Sequence, residues 1–130
     1  MKKVIDVVGA MIMGDGSQIF CAQRKNEGDL ALKWEIPSGR VIDGETPEAC
    51  IIRSVKQEFG KDITILSDFL VATYEHEMFT ITFHVFICES NLDYHLLNEY
   101  AHAQWIHVDD LLELEWTDID YPVIIKYLEL

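Results

Sequence analysis

Phe79, Ile81, Phe83, Val85 and Ile87 place an apolar side chain at every second position, the period of a strand with one buried face. The pattern predicts a strand over residues 79–89 and a partner over residues 63–74, joined as a long hairpin. Residues 4–13 are nearly continuous in apolar character and read as a buried strand. Gly14-Asp15-Gly16-Ser17 is a turn signal, and residues 18–24 follow as a second strand. Residues 25–33 are polar around Gly28 and read as a loop. Residues 34–41 read as a short strand with a loop, residues 91–98 as a loop and residues 100–107 as another strand. A short helix over 108–114, with Asp109 or Asp110 near its cap, and a C-terminal helix over 117–130 complete the chain. Antiparallel hairpins interleaved with helices predict an α+β fold, an α/β/α sandwich with a mixed sheet between helices.

The remaining helix, over residues 46–59, carries its own start and stop. Thr46 is a capping residue, Pro47 suits the first helical position, and Glu48 is favourable in the first turn. Gly60 is the stop, since it adopts a left-handed conformation at little cost. Ile52, Val55 and Phe59 recur at helical spacing and are the expected buried stripe. Ser54, Gln57 and Glu58 stand at i, i+3 and i+4 and share another face.

Composition narrows the classes. The 130 residues suit one domain, 1–130, with a single core. Although 49% of residues are hydrophobic, no run approaches membrane-spanning length, and Met1-Lys2-Lys3 leads into a strand pattern instead of a signal segment. The expectation is a cytoplasmic protein with no membrane association. Cys21, Cys50 and Cys88 are widely spaced and odd in number, which predicts reduced core thiols. A net charge of −13 argues against nucleic-acid polymers, which demand a basic footprint. It permits a free nucleotide, provided local arginines and a divalent ion do the attracting. No P-loop, GxGxxG, GxSxG or HExxH pattern occurs, so phosphate binding, acyl chemistry and a zinc site are not signalled by those devices.

The densest pattern is WEIPSGRVIDGETPEACIIRSVKQEFGK, residues 34–61. Gly39 is followed six residues later by Glu45, Arg53 comes eight after Glu45, Glu58 five after Arg53, and Gly60 closes the run. With Val55 as an aliphatic, these positions resemble the Nudix box of nucleotide pyrophosphohydrolases, and the strand and helix order is similar to the Nudix fold over essentially the whole chain. Ser54 and Gln57 stand where the family pattern has glutamates, and Lys61 stands at its final aliphatic position.

The resemblance is to the MutT-like branch, and it implies Mg²⁺-dependent hydrolysis (Mn²⁺ as a substitute) of a small nucleoside triphosphate to a monophosphate and pyrophosphate. It makes Glu58 and Glu99 metal ligands and catalytic groups, with the Gly39 carbonyl as a further ligand. Arg53 orients the carboxylates, and Arg24 and Arg40 contact phosphate, for which a guanidinium fork is suited. Asp120, shortly before Pro122, is the base-reading residue or a helix cap, and His76 at the hairpin tip borders the base pocket. The neutral Ser54 and Gln57 keep a second reading open, a nucleotide-binding or sensor module of the same fold. The expected assembly is a monomer or homodimer.

Overall fold

The computed structural model describes residues 2–91, 93–96 and 100–129. Its elements are β1 (Lys3–Met13), β2 (Gln18–Arg24), β3 (Trp34–Glu35), β4 (Ser38–Arg40), α1 (Pro47–Phe59), β5 (Thr64–Glu75), β6 (Phe79–Glu89), β7 (Tyr100–His107), a 3-10 helix (Val108–Glu113) and α2 (Tyr121–Leu128). The sheet runs β3-β2-β1-β6-β5, with β4 paired to β1 and β7 paired to β2. It is mixed: β1 lies parallel to β6 along its whole length, from Lys3 opposite Phe79 to Met13 opposite Glu89, and the other pairings are antiparallel.

The sheet is covered on both faces, which explains the unbroken apolar run of β1. Val8, Ala10 and Ile12 pack with Phe20, Ala22, Phe86 and Cys88 beneath Cys50, Ile51, Val55 and Phe59 of α1. Met11 packs on the opposite face with Ile19, Cys21, Phe83 and Val85 beneath Val123 and Ile124 of α2. Successive strand residues thus serve two cores, giving the α/β/α sandwich. All three cysteines are free and buried, as expected. Among the described residues, no helix is long and apolar enough to cross a membrane.

The sequence reading needs correction in two places. The buried stripe of α1 is Ile51, Val55 and Phe59, with Cys50 and Ser54, while Ile52 is 43% exposed. The i, i+4, i+8 series starts one residue earlier than expected. The last helix begins at Tyr121 and not at residue 117, because residues 117–120 close a turn in which Asp120 and Tyr121 donate to the Thr117 carbonyl. The 3-10 helix stands as read, with Asp109 and Asp110 in its first turn beside the cap, His107, whose Nδ1 accepts from the Asp109 N–H at 3.1 Å. The cap of α1 stands as read: Thr46 Oγ1 accepts from Ala49 N–H at 3.1 Å, and Gly60 has φ of 64°.

Candidate active site: two clefts joined by one loop

The segment from β4 through α1 folds as one unit around Arg53. Its guanidinium donates to both Glu45 oxygens, at 2.6 and 3.0 Å, to Gln57 Oε1 at 3.0 Å and to the Arg40 carbonyl at 3.2 Å. Glu45 also accepts from the Ile42 N–H. The Arg53 hydrogen bonds hold the Glu45 carboxyl down at about 2. Arg53 is therefore a strut that ties loop to helix, and Glu45 is consumed by that strut.

At Gly39 the strand lies directly on the helix. A Cβ there would fall 1.8 Å from Ser54 Oγ and 2.6 Å from Ser54 Cβ. Only glycine permits this approach, and it brings β4 and α1 together at a cleft of about 240 Å³ lined by Gly39, Arg40, Arg53, Ser54, Gln57 and Glu58. The sequence reading placed these residues together, and they do share one site. Arg40 is exposed at its mouth, whereas Ser54 is only 5% exposed and turns toward Gly39 and Cys50.

A second cleft, about 590 Å³, opens on the α2 side of the sheet. Arg24, Glu35, His76, Phe79, Ile81 and Ile119 are among its walls. Arg24, expected at phosphate beside Arg40, lies instead in this cleft together with His76. Arg24 donates to Glu35 Oε1 at 2.8 Å, and His76 stacks on Phe79 with centroids 4.5 Å apart. The carboxylate lining this cleft is Glu35, which the sequence reading did not select. Its signal was a glutamate inside an otherwise buried strand segment. Burial raises the Glu35 pKa against the lowering pull of Arg24.

Asp120 stands behind Glu35, 1% exposed. Its Oδ1 accepts from the Ile36 N–H at 3.1 Å and its other oxygen accepts from the Thr117 hydroxyl. It makes no side-chain cap to α2. Burial and the charge of Glu35 push the Asp120 carboxyl well above the usual carboxylate range. Backbone pairing of Trp34 with residues 115–117 delivers this turn to β3: Trp34 N–H donates to the Glu115 carbonyl at 2.7 Å, and Thr117 N–H to the Trp34 carbonyl at 2.9 Å. The same loop, residues 34–40, borders both clefts.

The donor set tests the implied divalent ion. Among the described residues, no three His, Cys, Asp or Glu side chains gather as a metal cluster. The smaller cleft offers the Glu58 carboxylate and the neutral oxygens of Gln57 and Ser54. Mg²⁺ at nucleotide sites commonly takes one or two carboxylates and completes its octahedron with waters and phosphate oxygens. The cleft thus fits a hard cation that arrives with phosphates better than one bound beforehand. Glu99 lies outside the described residues.

Comparison with known proteins agrees with this fold. The NUDIX domain family matches residues 3–127. The chain belongs to the NUDIX family, whose members are hydrolases that generally use a divalent metal such as Mg²⁺. It is 33% identical to the 8-oxo-dGTP diphosphatase of Proteus vulgaris over 48% of its own length and 56% of the relative's, so the chain spans about half of that relative. It is 27% identical to the CTP pyrophosphohydrolase of Escherichia coli over 98% of the chain and 94% of the relative. The solution structure of the E. coli ORF135 protein superposes with a TM-score of 0.87 at 24% identity, covering 99% of this chain and 91% of that one.

Proposed function

We propose that the protein hydrolyses a nucleoside triphosphate, adding water across a phosphoanhydride bond to give a nucleoside monophosphate and pyrophosphate. The observation that carries this reading is the convergence of Gly39, Arg40, Ser54, Gln57 and Glu58 on one cleft, joined through residues 34–40 to a larger cleft of nucleoside size. The relatives named as an 8-oxo-dGTP diphosphatase and a CTP pyrophosphohydrolase support a small nucleotide as substrate.

Phosphates belong in the smaller cleft. Glu58, with the oxygens of Gln57 and Ser54 and with Glu99, is the group to hold Mg²⁺, and Arg40 is placed to meet phosphate oxygens. When bound, the ion neutralises charge on the phosphates and polarises the bond under attack. The base belongs in the larger cleft, against Phe79 and Ile81 and bordered by His76. Glu35 is an acceptor for an amino-bearing edge, with the buried Asp120 carboxyl behind it. Arg24 is shared between Glu35 and the incoming nucleotide.

A panel of nucleoside triphosphates with Mg²⁺ or Mn²⁺, with pyrophosphate and phosphate measured separately, tests the reading. Pyrophosphate release lost in Glu58→Gln, with unchanged thermal stability, is the expected result. Undiminished turnover in Glu58→Gln overturns the role of that residue, and no pyrophosphate from any nucleotide overturns the reaction.

One observation favours a second reading, a nucleotide-binding module with little turnover. Glu58 is the single carboxylate among the described walls of the smaller cleft apart from the strut to Arg53, and Gln57 is bonded by that arginine. Ser54→Glu combined with Gln57→Glu separates the two. A rise in hydrolysis of at least about tenfold, roughly 1.4 kcal/mol of barrier, is expected of a blunted enzyme. Tight Mg²⁺ binding without faster hydrolysis places the binding module first.

A further inference from the structure

Lys61 occupies a position at which the box pattern calls for an aliphatic side chain, and it is among the most buried residues of the protein, 2% exposed. Its stem runs among aromatic rings, and its ammonium lies 5.7 Å from the ring centre of Phe20 and 5.5 Å from that of Trp105. Beyond the rings the Nζ donates to the Asn91 carbonyl, to Asn91 Oδ1 at 3.2 Å and to the Asp93 carbonyl at 2.5 Å. Three donors thus meet three oxygens, and the charge gains two π faces as well. Burial lowers the Lys61 pKa, with Asp93 opposing the shift.

The stretch it grips is the one that closes the end of α1. His95 N–H donates to the Phe59 carbonyl at 2.8 Å, satisfying one of the carbonyls that a helix C-terminus leaves open. Ser90 Oγ donates to the Asp62 carbonyl at 2.5 Å, and Tyr94 hydroxyl to the Ala103 carbonyl at 2.7 Å. Tyr94 also packs on Phe20 with centroids 5.0 Å apart. An aliphatic residue at 61 fills the same volume but takes the ammonium donor from the Asn91 and Asp93 carbonyls, leaving Asn91 Oδ1 with only the Asp93 N–H at 3.2 Å. The aromatic cage and the carbonyl set are therefore matched to a cation.

We propose that Lys61 is a tethered cation that clasps residues 90–95 to the end of α1 and thereby positions Glu58, which stands in the last turn of that helix. The role of Glu58 rests on the proposed function above; the clasp itself does not. Lys61 touches no substrate and is a positioning residue. It makes the last turn of the box helix depend on a segment more than thirty residues away in sequence.

Hydrogen exchange of the backbone amides reads the clasp without any turnover. Lys61→Met keeps the volume and removes the charge. Exchange at residues 57–60 and 93–96 is expected to quicken at least tenfold, while amides of β1 and β6 keep their protection. Unchanged exchange in both segments overturns the proposal. So does equal acceleration everywhere, which marks a merely global contribution. Should Lys61→Met fold poorly, Asn91→Ala removes only one of the acceptors and is expected to shift the same amides in the same direction by a smaller factor. Lys61→Ala adds a chemical rescue: propylammonium restores protection and the isosteric neutral propan-1-ol does not; equal rescue by both overturns the need for charge.

The link to Glu58 is read by Mn²⁺ titration in the presence of inorganic tripolyphosphate. Lys61→Met is expected to weaken Mn²⁺ binding at least tenfold, and propylammonium to recover it in Lys61→Ala. Slowed exchange on rescue with no recovery of Mn²⁺ affinity keeps the clasp and overturns the positioning of Glu58. If Glu58→Gln leaves Mn²⁺ affinity unchanged, the proposed function fails at that residue, and the exchange data still decide the clasp.

Discussion

Two arginine–glutamate pairs flank the loop of residues 34–40, and they behave in opposite ways. Arg53 and Glu45 meet at 2.6 Å, Arg24 and Glu35 at 2.8 Å, and the side-chain exposures are similar, 38% and 11% against 35% and 7%. Yet Glu45 is held down at about 2, while the Glu35 pKa is raised. Glu45 sits in a loop at the surface, where its hydrogen bonds to Arg53 outweigh the small cost of burial. Glu35 sits on a strand inside the sheet, where desolvation exceeds everything Arg24 returns, and where the Asp120 carboxyl lies on its far side. The same pair of residue types is a strut in one place and a poised polar group in the other. The depth of the site, more than the contact distance, sets the sign. Groups perturbed by burial and gathered in a cleft are the kind that function recruits, so the inner pair is the one to expect at the substrate.

The largest break comes from the outer unit. Gly39→Ala drives a methyl into Ser54 and should cost about 3 kcal/mol, the upper end for overpacking, measured by urea denaturation. Ser54→Gly in the same chain should recover part of that loss, and a loss untouched by the second change removes Ser54 as the cause. Next is the inner pair. Arg24→Met leaves Glu35 buried without its cation and should cost about 2 kcal/mol, discounted from the range for fully buried pairs because Arg24 is partly exposed. Arg53→Met should cost less by the same measurement, since Glu45 can turn to water. A reversed order refutes the contrast between the two sites.

Substrate choice sharpens the comparison further. Glu35→Gln replaces one acceptor by a donor and should re-rank the nucleotides by about 1–2 kcal/mol in kcat/KM, the scale of a base-edge contact. Glu45→Gln should lower all nucleotides alike. Equal effects of the two variants on ranking count against Glu35 as the base reader.

The smallest effects are in the pH dependence of stability, and their signs are opposite. Glu45 has a lowered folded pKa, so in the window from about 2 to its unfolded value near 4.5 the unfolded chain binds more protons. Its contribution is complete above that window and lost as pH falls through it. Asp120 has a raised folded pKa, about 8 against 3.8, so the folded chain binds more protons between those values. Its contribution is complete below about 4 and lost as pH rises toward 8. Melting temperature against pH should therefore show Arg53→Met flattening the acid limb between about pH 2 and 4.5 and Asp120→Asn flattening the decline between pH 4 and 8. An Asp120→Asn profile parallel to that of the parent refutes the buried proton.

What the sequence alone determined was local and periodic. Thr46, Pro47 and Gly60 bounded α1 because caps and stops act within one turn, and alternation in β6 revealed a strand because its neighbours are fixed by backbone geometry. The spacing of Gly39, Glu45, Arg53 and Glu58 identified the unit because one loop and one helix, both short-range, bring them together. What only the tertiary structure decided was the depth and partnership of each side chain. Ile51 is inside and Ile52 outside because the helix settles on Phe20 and Phe86, a choice that one residue of rotation reverses. Glu35 and Asp120 share a buried site because β3 pairs with residues 115–117, a contact across eighty positions that no local pattern encodes. Lys61 stands out in the sequence only as a charge at an aliphatic position, and it is the fold, by bringing the Asn91 and Asp93 oxygens and two aromatic rings around its ammonium, that makes it an interior residue. Burial is a property of what the rest of the chain places around a residue, and it is what raises the pKa of Glu35 and Asp120.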